Sequence, residues 1–366
     1  MKRIMEEKNE RRVPFMATHP GRILKNELIE RGISQKNFAK SVDMQPSHIS
    51  EIIKGKRSVT MMIADKFEAV LGIPSISWVN LQTQYDYDTK AIEKRELKAI
   101  EAKNMIDDYN LSFDVKTIAE RLLINLERPF VDFLNELKTM LDLPEPAELQ
   151  LAACRFKKSL KTGLDDRMLM TWVLLARYQS GKTEVKGTYD KNKTEELISE
   201  LKPVFNENKD TVKRVQGIFS NYGIKFNIVQ KVEKASVDGF SFMDNGIPSI
   251  VLTMRYNMID HLAFDALHEL GHIDLHLNGG DDSRISIEGY EESPEEKEAN
   301  QYAANALIPD KLWNTTPKVR MNPFLIQRDY TKWAIDNNIN KWIVLGRISK
   351  ETGMYRFKSD SYRKVY

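Results

Sequence analysis

At 366 residues with a single cysteine, Cys154, the chain is long enough for two or three domains and cannot form an internal disulfide. Hydrophobic residues at 41% and charged residues at 30% are those of a globular chain, and no apolar run reaches the roughly 18 residues that span a bilayer. The charged N-terminus MKRIMEEKNERRVPFM lacks the apolar core of a secretory signal, so a cytoplasmic protein with no membrane partner is expected. Net charge is only +2 but uneven: residues 1–60 carry 13 Lys/Arg against 7 Asp/Glu, whereas residues 281–300 carry 2 against 8. The basic end points to an anionic partner.

From Pro20 to Tyr85 the sequence reads as five short helices. GRILKNELIERG ends at Gly32, Ser34 is a natural N-cap for QKNFAKSV, and Asp43 and Met44 make a tight turn. In QPSHISEIIKGKR, Gln45 can cap, Pro46 suits the first helical position, and Ile49, Ile52 and Ile53 form an inward stripe. Gln45, Ser47, His48 and Ser50 then face outward with Glu51, as candidates to read base edges in a double-stranded DNA operator. Ser34, Gln35, Lys36, Lys54, Lys56 and Arg57 are the candidates for phosphate contacts. The stretch from HPGRILKNELIERG through ISWVNLQTQYD resembles the Xre/HigA type of helix-turn-helix protein. That resemblance implies a homodimer bound to a palindrome.

Residues 86–110 alternate in charge and read as a solvated connecting helix. IAERLLINLERPFVDFLNELKTMLDL, AELQLAACRFKKSL and DDRMLMTWVLLARYQ carry apolar residues at helical spacing and no catalytic signature. The period changes after LISELKPVFNENKDTVKRVQGIFSNYG, where IKFNIVQKV, GFSFM and SIVLTM read as strands, the last two separated by Asp244, Asn245 and Gly246.

AFDALHELGHIDLH follows, holding three of the six histidines. His268 and His272 lie four apart on one helix face, so both imidazoles can reach one metal ion, and Glu269 stands beside them in the H-E-x-x-H arrangement of a zinc peptidase. Asp260 can N-cap this helix, and His261 falls in its first turn. A catalytic zinc needs a third protein ligand. Downstream, Pro294 opens a helix in which Glu296 and Asn300 are four apart, and Ala299, Ala303 and Ala304 permit close approach to the first helix.

HELGHIDLH with EKEANQYAANALIP, preceded by NYGIKFNIVQ and IPSIVLTMRYNMIDHLAFDAL, resembles the ImmA/IrrE family of metallo-endopeptidases, a gluzincin-like group often fused to an Xre helix-turn-helix. The resemblance implies one Zn2+ per chain held by His268, His272 and Glu296, with Glu269 as general base and Asn300 as a partner of the ligands. Glu295 and Glu298 stay open as alternative third ligands, because helix phase is not fixed by sequence. The family pattern more often has Phe where Tyr302 stands. In zincin-type peptidases an edge strand before the active-site helix holds the substrate extended, and PSIVLTMRY occupies that place in sequence. Zinc acidifies its bound water, and Tyr256, His276 and Tyr290 are candidates to stabilise an oxyanion. For His276 the plainer expectation is an imidazole on the last carbonyls of its helix.

The expected fold class is mainly α with a small β-sheet (α+β): an all-α helix-turn-helix domain at 16–85, a charged helical linker at 86–110, a helical domain at 111–201, a zincin-like metallopeptidase core at 202–310 and a C-terminal helical extension at 311–366 whose last residues fray. The function expected is a DNA-binding transcriptional regulator with a zinc endopeptidase domain that cleaves a repressor or antitoxin. The competing expectation is a HigA-like antitoxin or autorepressor whose peptidase-like domain only binds a partner such as a RelE-like toxin. A general degradative protease is a third and weaker fit, because such an enzyme needs no DNA-reading domain.

Overall fold

The computed structural model describes residues 13–150, 165–277, 283–287 and 293–365. Cys154, Tyr290 and most of AELQLAACRFKKSL lie outside them. The chain forms two compact units, the first reaching to Asn104 and taking in Pro129–Val131, the second holding the rest. Among the described residues no helix is long and apolar enough to cross a membrane.

The first unit is helical: α1 (Pro20–Glu30), α2 (Gln35–Ser41), α3 (Pro46–Ile53), α4 (Met61–Leu71) and the first part of α5 (Ser75–Ser112). Only four of the five helices expected between Pro20 and Tyr85 are short, because the fifth continues without a break for 38 residues. ISWVNLQ and the charged stretch after it are therefore one helix, and the division between the units falls inside it after Asn104. Leu24, Leu28, Phe38, Ile49, Ile52, Phe67 and Trp78 fill the core of this unit. Phe67 meets Trp78 edge to face at 5.4 Å. A Cβ on Gly21 would fall 1.8 Å from the Ile52 carbonyl oxygen, so α1 crosses α3 at a distance only glycine permits.

In the second unit α6 (Val115–Leu122), α7 (Phe130–Leu141), α8 (Asp166–Gly181), α9 (Thr194–Glu207) and α10 (Thr211–Asn221) precede the sheet. The residues 111–201 set apart above as a helical domain thus belong, apart from Pro129–Val131, to the same unit as the sheet. Strands β1 (Lys225–Ile228), β2 (Val237–Asp244) and β3 (Ile247–Leu252) lie where alternation placed them. Asn245 and Gly246, both at positive φ, close the β2–β3 hairpin. A fourth strand, β4 (Ser283–Ile287), follows the histidine helix and was not anticipated. The strand order is β1-β3-β2-β4, with β1 parallel to β3 and the other pairs antiparallel.

The sheet is covered on both faces. Phe240 of β2 meets Trp172 of α8, and Ser180 of α8 bonds Ser249 of β3. The opposite face presents Gly239 of β2 to α11 (Ile259–His276), and Ile250 and Leu252 join a core with Leu262, Ala266, Leu267 and Leu270 of that helix. Burial on several sides accounts for the apolar run MLMTWVLLA within α8 and the run IVL in β3. Against α11 pack α12 (Pro294–Leu307) and α15 (Lys341–Thr352), with the short α13 (Asp310–Trp313) and α14 (Pro323–Asp336) between them in sequence. Trp342 is buried in this core.

Two expectations, one at the start of α11 and one at the end of the chain, are corrected. The helix starts one residue before Asp260, which makes no capping bond. Its carboxylate instead takes both arms of Arg363, at 3.0 and 2.7 Å. The C-terminal residues described, up to Val365, are held rather than frayed: Asn208 donates to the carbonyls of Tyr362 and Lys364, Val365 N–H reaches Asn257 O at 3.2 Å, and Lys364 bridges to Met258.

Candidate functional site

α11 supplies the centre of the site because its apolar residues seat one side on the sheet and leave His268 and His272 together on another. The two Nε2 atoms are 3.1 Å apart. Glu296 reaches between them from α12, its Oε2 3.1 Å from His268 Nε2 and its Oε1 3.1 Å from His272 Nε2. Ser293 N-caps α12 by accepting from Glu296 N–H, so the sequence Ser-Pro-Glu-Glu reads as a capping box. The box is half made, because the Glu296 carboxylate is turned to the histidines instead of back to the helix end.

The donor set fits a zinc ion. His268, His272 and Glu296 are the group of metal-ligating side chains that converges among the described residues. Ligand atoms about 2.0–2.1 Å from a tetrahedral zinc are about 3.3 Å from one another, close to the separations found. Two further buried atoms of this cluster, His268 Nδ1 and Glu269 Oε2, have no hydrogen-bond partner in the protein. Glu295 and Glu298 are engaged elsewhere, with Arg284 and His276 respectively.

Electrostatics separate the roles of the two carboxylates. Burial pushes the Glu296 carboxyl up, but hydrogen bonds from His268 and His272 outweigh it and bring it down to about 2, so Glu296 stands ionised. Burial pushes Glu269 up, and the nearby histidines and Ser286 offset this only in part. Its side chain is 1% exposed and lies over Gly239, where a Cβ would fall 2.1 Å from Oε1. Gly239 sits at an irregularity in the β2–β4 register.

The remaining expected residues are placed as follows. Asn300, one turn beyond Glu296, accepts a hydrogen bond from Lys350 and lines the cleft above the site. Tyr256 lines the same cleft, with its ring 4.6 Å from that of His261. His276 does not serve the helix carbonyls: its Nδ1 is 2.9 Å from His272 Nδ1 and its Nε2 is 3.0 Å from Glu298 Oε2. The Tyr302 hydroxyl donates to Asp274 at 2.5 Å, and Tyr189 donates to the same carboxylate. The Tyr302 ring lies against Gly271, where a Cβ would be 3.0 Å away.

The cleft has a volume of 1260 Å3 and is walled by α11, β4, α12 and α15. β3 is central in the sheet, paired on both sides, so it cannot take a peptide as a further strand. The edge beside the site is β4, whose Ser286 hydroxyl lies 3.1 Å from His268 Nε2. Gly239 and Ser286 were missed in sequence. A glycine opening the run GFSFM was the available signal of close backbone approach.

In the first unit, Ser34 caps α2 by accepting from Asn37 N–H at 3.2 Å, and Asp43 takes positive φ in the turn before α3. Gln45 occupies the N-cap of α3 but makes no capping bond, which corrects its expected capping role. Gln45 and Ser47 are exposed, His48 and Ser50 half-buried, and Ile49 and Ile52 buried. Ser34, Gln35, Lys36, Lys54 and Lys56 are exposed as well, whereas Arg57 pairs with Glu51 at 2.8 Å.

A family model described as helix-turn-helix, HTH_3, matches residues 24–77, from α1 to the start of α5. Over 85 residues the chain is 34% identical to Virulence-associated protein I of Dichelobacter nodosus, covering 23% of this chain and 79% of that protein. Over 72 residues it is 35% identical to the uncharacterized HTH-type transcriptional regulator YddM of Escherichia coli, covering 19% of this chain and 77% of that protein. Among solved structures, an addiction module antidote protein of the HigA family from Coxiella burnetii is 30% identical, with a TM-score of 0.21, over 24% of this chain and 94% of its own. Pseudomonas aeruginosa antitoxin HigA, solved with the higBA promoter, is 25% identical, with a TM-score of 0.21, over 22% of this chain and 90% of its own. The sequence match and the α2–turn–α3 geometry lead to one conclusion: the chain belongs to the helix-turn-helix family, through a DNA-binding domain at residues 24–77.

Proposed function

We propose that this chain is a DNA-binding transcriptional regulator whose second unit is a zinc-dependent endopeptidase acting on another regulatory protein, a repressor or an antitoxin. The observation that carries the peptidase reading is the convergence of His268, His272 and Glu296 beside a buried Glu269 whose carboxyl is pushed upward. Bound zinc would polarise a peptide carbonyl and acidify a water. Glu269, its carboxyl pushed above the ordinary range by burial and one of its oxygens unpartnered, is suited to accept a proton and hand it to the leaving amine. The outer edge of β4 offers backbone groups that can hold an extended peptide along the cleft.

Transcriptional regulation rests on the helix-turn-helix domain and on likeness to proteins such as YddM. In this reading the exposed face of α3 enters the major groove of an operator, with Gln45, Ser47, His48 and Ser50 at base edges. Ser34, Gln35, Lys36, Lys54 and Lys56 hold phosphates, and two copies bind a palindrome. Arg57, already paired with Glu51, contributes less.

Metal analysis and cleavage of a co-purified repressor or antitoxin test the peptidase reading together. The full chain should hold about one zinc per chain, and Glu269→Gln should keep the metal and abolish cleavage. A chain with His268 and His272 intact that takes up no zinc sinks the proposal. A chain that holds zinc, binds the partner and leaves it uncut is instead a regulator with a binding platform.

A further inference from the structure

The last residue of α11 has a use that neither the H-E-x-x-H pattern nor the third ligand calls for. His276 is 8% exposed, and both its ring nitrogens are engaged: Nδ1 with His272 Nδ1 at 2.9 Å, Nε2 with Glu298 Oε2 at 3.0 Å. Three side chains from two helices therefore form a line that starts at His272 Nε2, the atom facing the candidate metal position, and ends on a carboxylate.

The hydrogen-bonding rules of imidazole fix the protons along that line. An Nδ1···Nδ1 hydrogen bond needs a proton on one ring and a bare lone pair on the other. A carboxylate oxygen accepts from an imidazole N–H, so His276 Nε2 carries the proton it donates to Glu298. A neutral His276 with its proton on Nε2 has a bare Nδ1, and that atom can only accept from His272. Once Nε2 is given to a metal in place of its hydrogen bond to Glu296, the His272 proton is held on Nδ1 and the Nε2 lone pair is aimed between His268 and Glu296. The opposite tautomer of His272 would put a hydrogen on Nε2 and block coordination.

We propose that His276 and Glu298 are positioning residues for the metal centre: Glu298, acting through His276, holds His272 in the tautomer and ring orientation that binds zinc. This rests on the zinc reading above. It also accounts for Glu298 lying two residues from Glu296 on α12, since one short helix then supplies both a ligand and the anchor of a second ligand. Glu298 is 64% exposed, which weakens its charge through solvent but leaves it safe to substitute. Partners of a metal-bound imidazole are worth about 10- to 100-fold in metal affinity. The buried His276 should fall within that range and the exposed Glu298 at or below its lower end.

The test uses the full chain in two measurements. Zinc affinity is read by competition with a chelator of known affinity, and the His272 Nδ1 proton by 15N–1H NMR on the zinc-loaded, histidine-labelled protein. His276→Phe should weaken zinc binding about tenfold or more, and Glu298→Ala by up to about tenfold. Glu298→Gln, which keeps an acceptor oxygen, should lie closer to wild type than Glu298→Ala. In the zinc-loaded wild type the His272 Nδ1 proton should be protected from exchange with water, and Glu298→Ala should lower that protection. Wild-type affinity in both His276→Phe and Glu298→Ala, with unchanged protection of the His272 proton, overturns the positioning role while leaving the zinc reading intact. A wild-type chain that takes up no zinc overturns both.

Discussion

Gly239 ties the sheet to the chemistry through a missing side chain. A Cβ at this position would stand 2.1 Å from Glu269 Oε1 and 2.7 Å from its carboxyl carbon, so any larger residue must push the carboxylate away. The metal ligands come from α11 and α12 and do not depend on that contact. Gly239→Ala is therefore expected to keep the zinc content of the wild type while lowering cleavage about 100-fold, the scale on which an ångström of misplacement acts. Metal analysis beside a cleavage rate checks it, and unchanged cleavage would mean Glu269 is not the base. At this scale the sequence was readable where one helix fixes the geometry, as for His268, Glu269 and His272. Glu296 was legible only as one of three glutamates, because sequence leaves the phase of its helix open and the Ser293 cap that settles it is seen only in the structure. His276 was misread because its partner Glu298 comes from a different helix, and Gln45 because position alone does not make a cap.

At the scale of elements, local signals located helices better than they measured them. Alternating charge marked α5 as solvated, yet nothing in it signals a stop, and it runs on to Ser112. β4 escaped notice because its five residues stand alone between charged stretches of sequence, too short a run to mark a strand, although it forms the edge beside the site. α6 shows a helix start with a measurable consequence. Asp114 N-caps it, accepting from Thr117 N–H at 2.7 Å, and pairs with Arg167 at 2.7 Å. Burial pushes its carboxyl up, but Thr117 and Arg167 outweigh burial and hold it below the ordinary value of 3.8. A depressed carboxylate contributes stability that is present above its unfolded value and is lost as pH falls through the folded one. Asp114→Ala should thus cost about 1–2 kcal/mol at neutral pH, and the difference from wild type should shrink as the pH drops below 3.8. Urea unfolding across that range reads it, and a pH-independent difference would rule out the charged cap.

For the molecule as a whole, the two units have separate cores, one around Phe38, Phe67 and Trp78, the other around α11 and the sheet. The candidate ligands all belong to the second. A ligand that binds only the folded state stabilises it by about 2.7 kcal/mol when present at 100 times its dissociation constant. Zinc should deliver that increment to the second unit alone, because none of its ligands lies among the residues that fold the helix-turn-helix. Calorimetry of the full chain should therefore resolve a transition that moves down on chelation and returns with zinc, and a second that does not move. DNA affinity measured below both transitions should be unaffected by chelation, since the helix-turn-helix keeps its own core and its exposed α3 face. Loss of DNA binding with the metal would show instead that zinc in the second unit controls the first, making the metal itself a signal for the regulator.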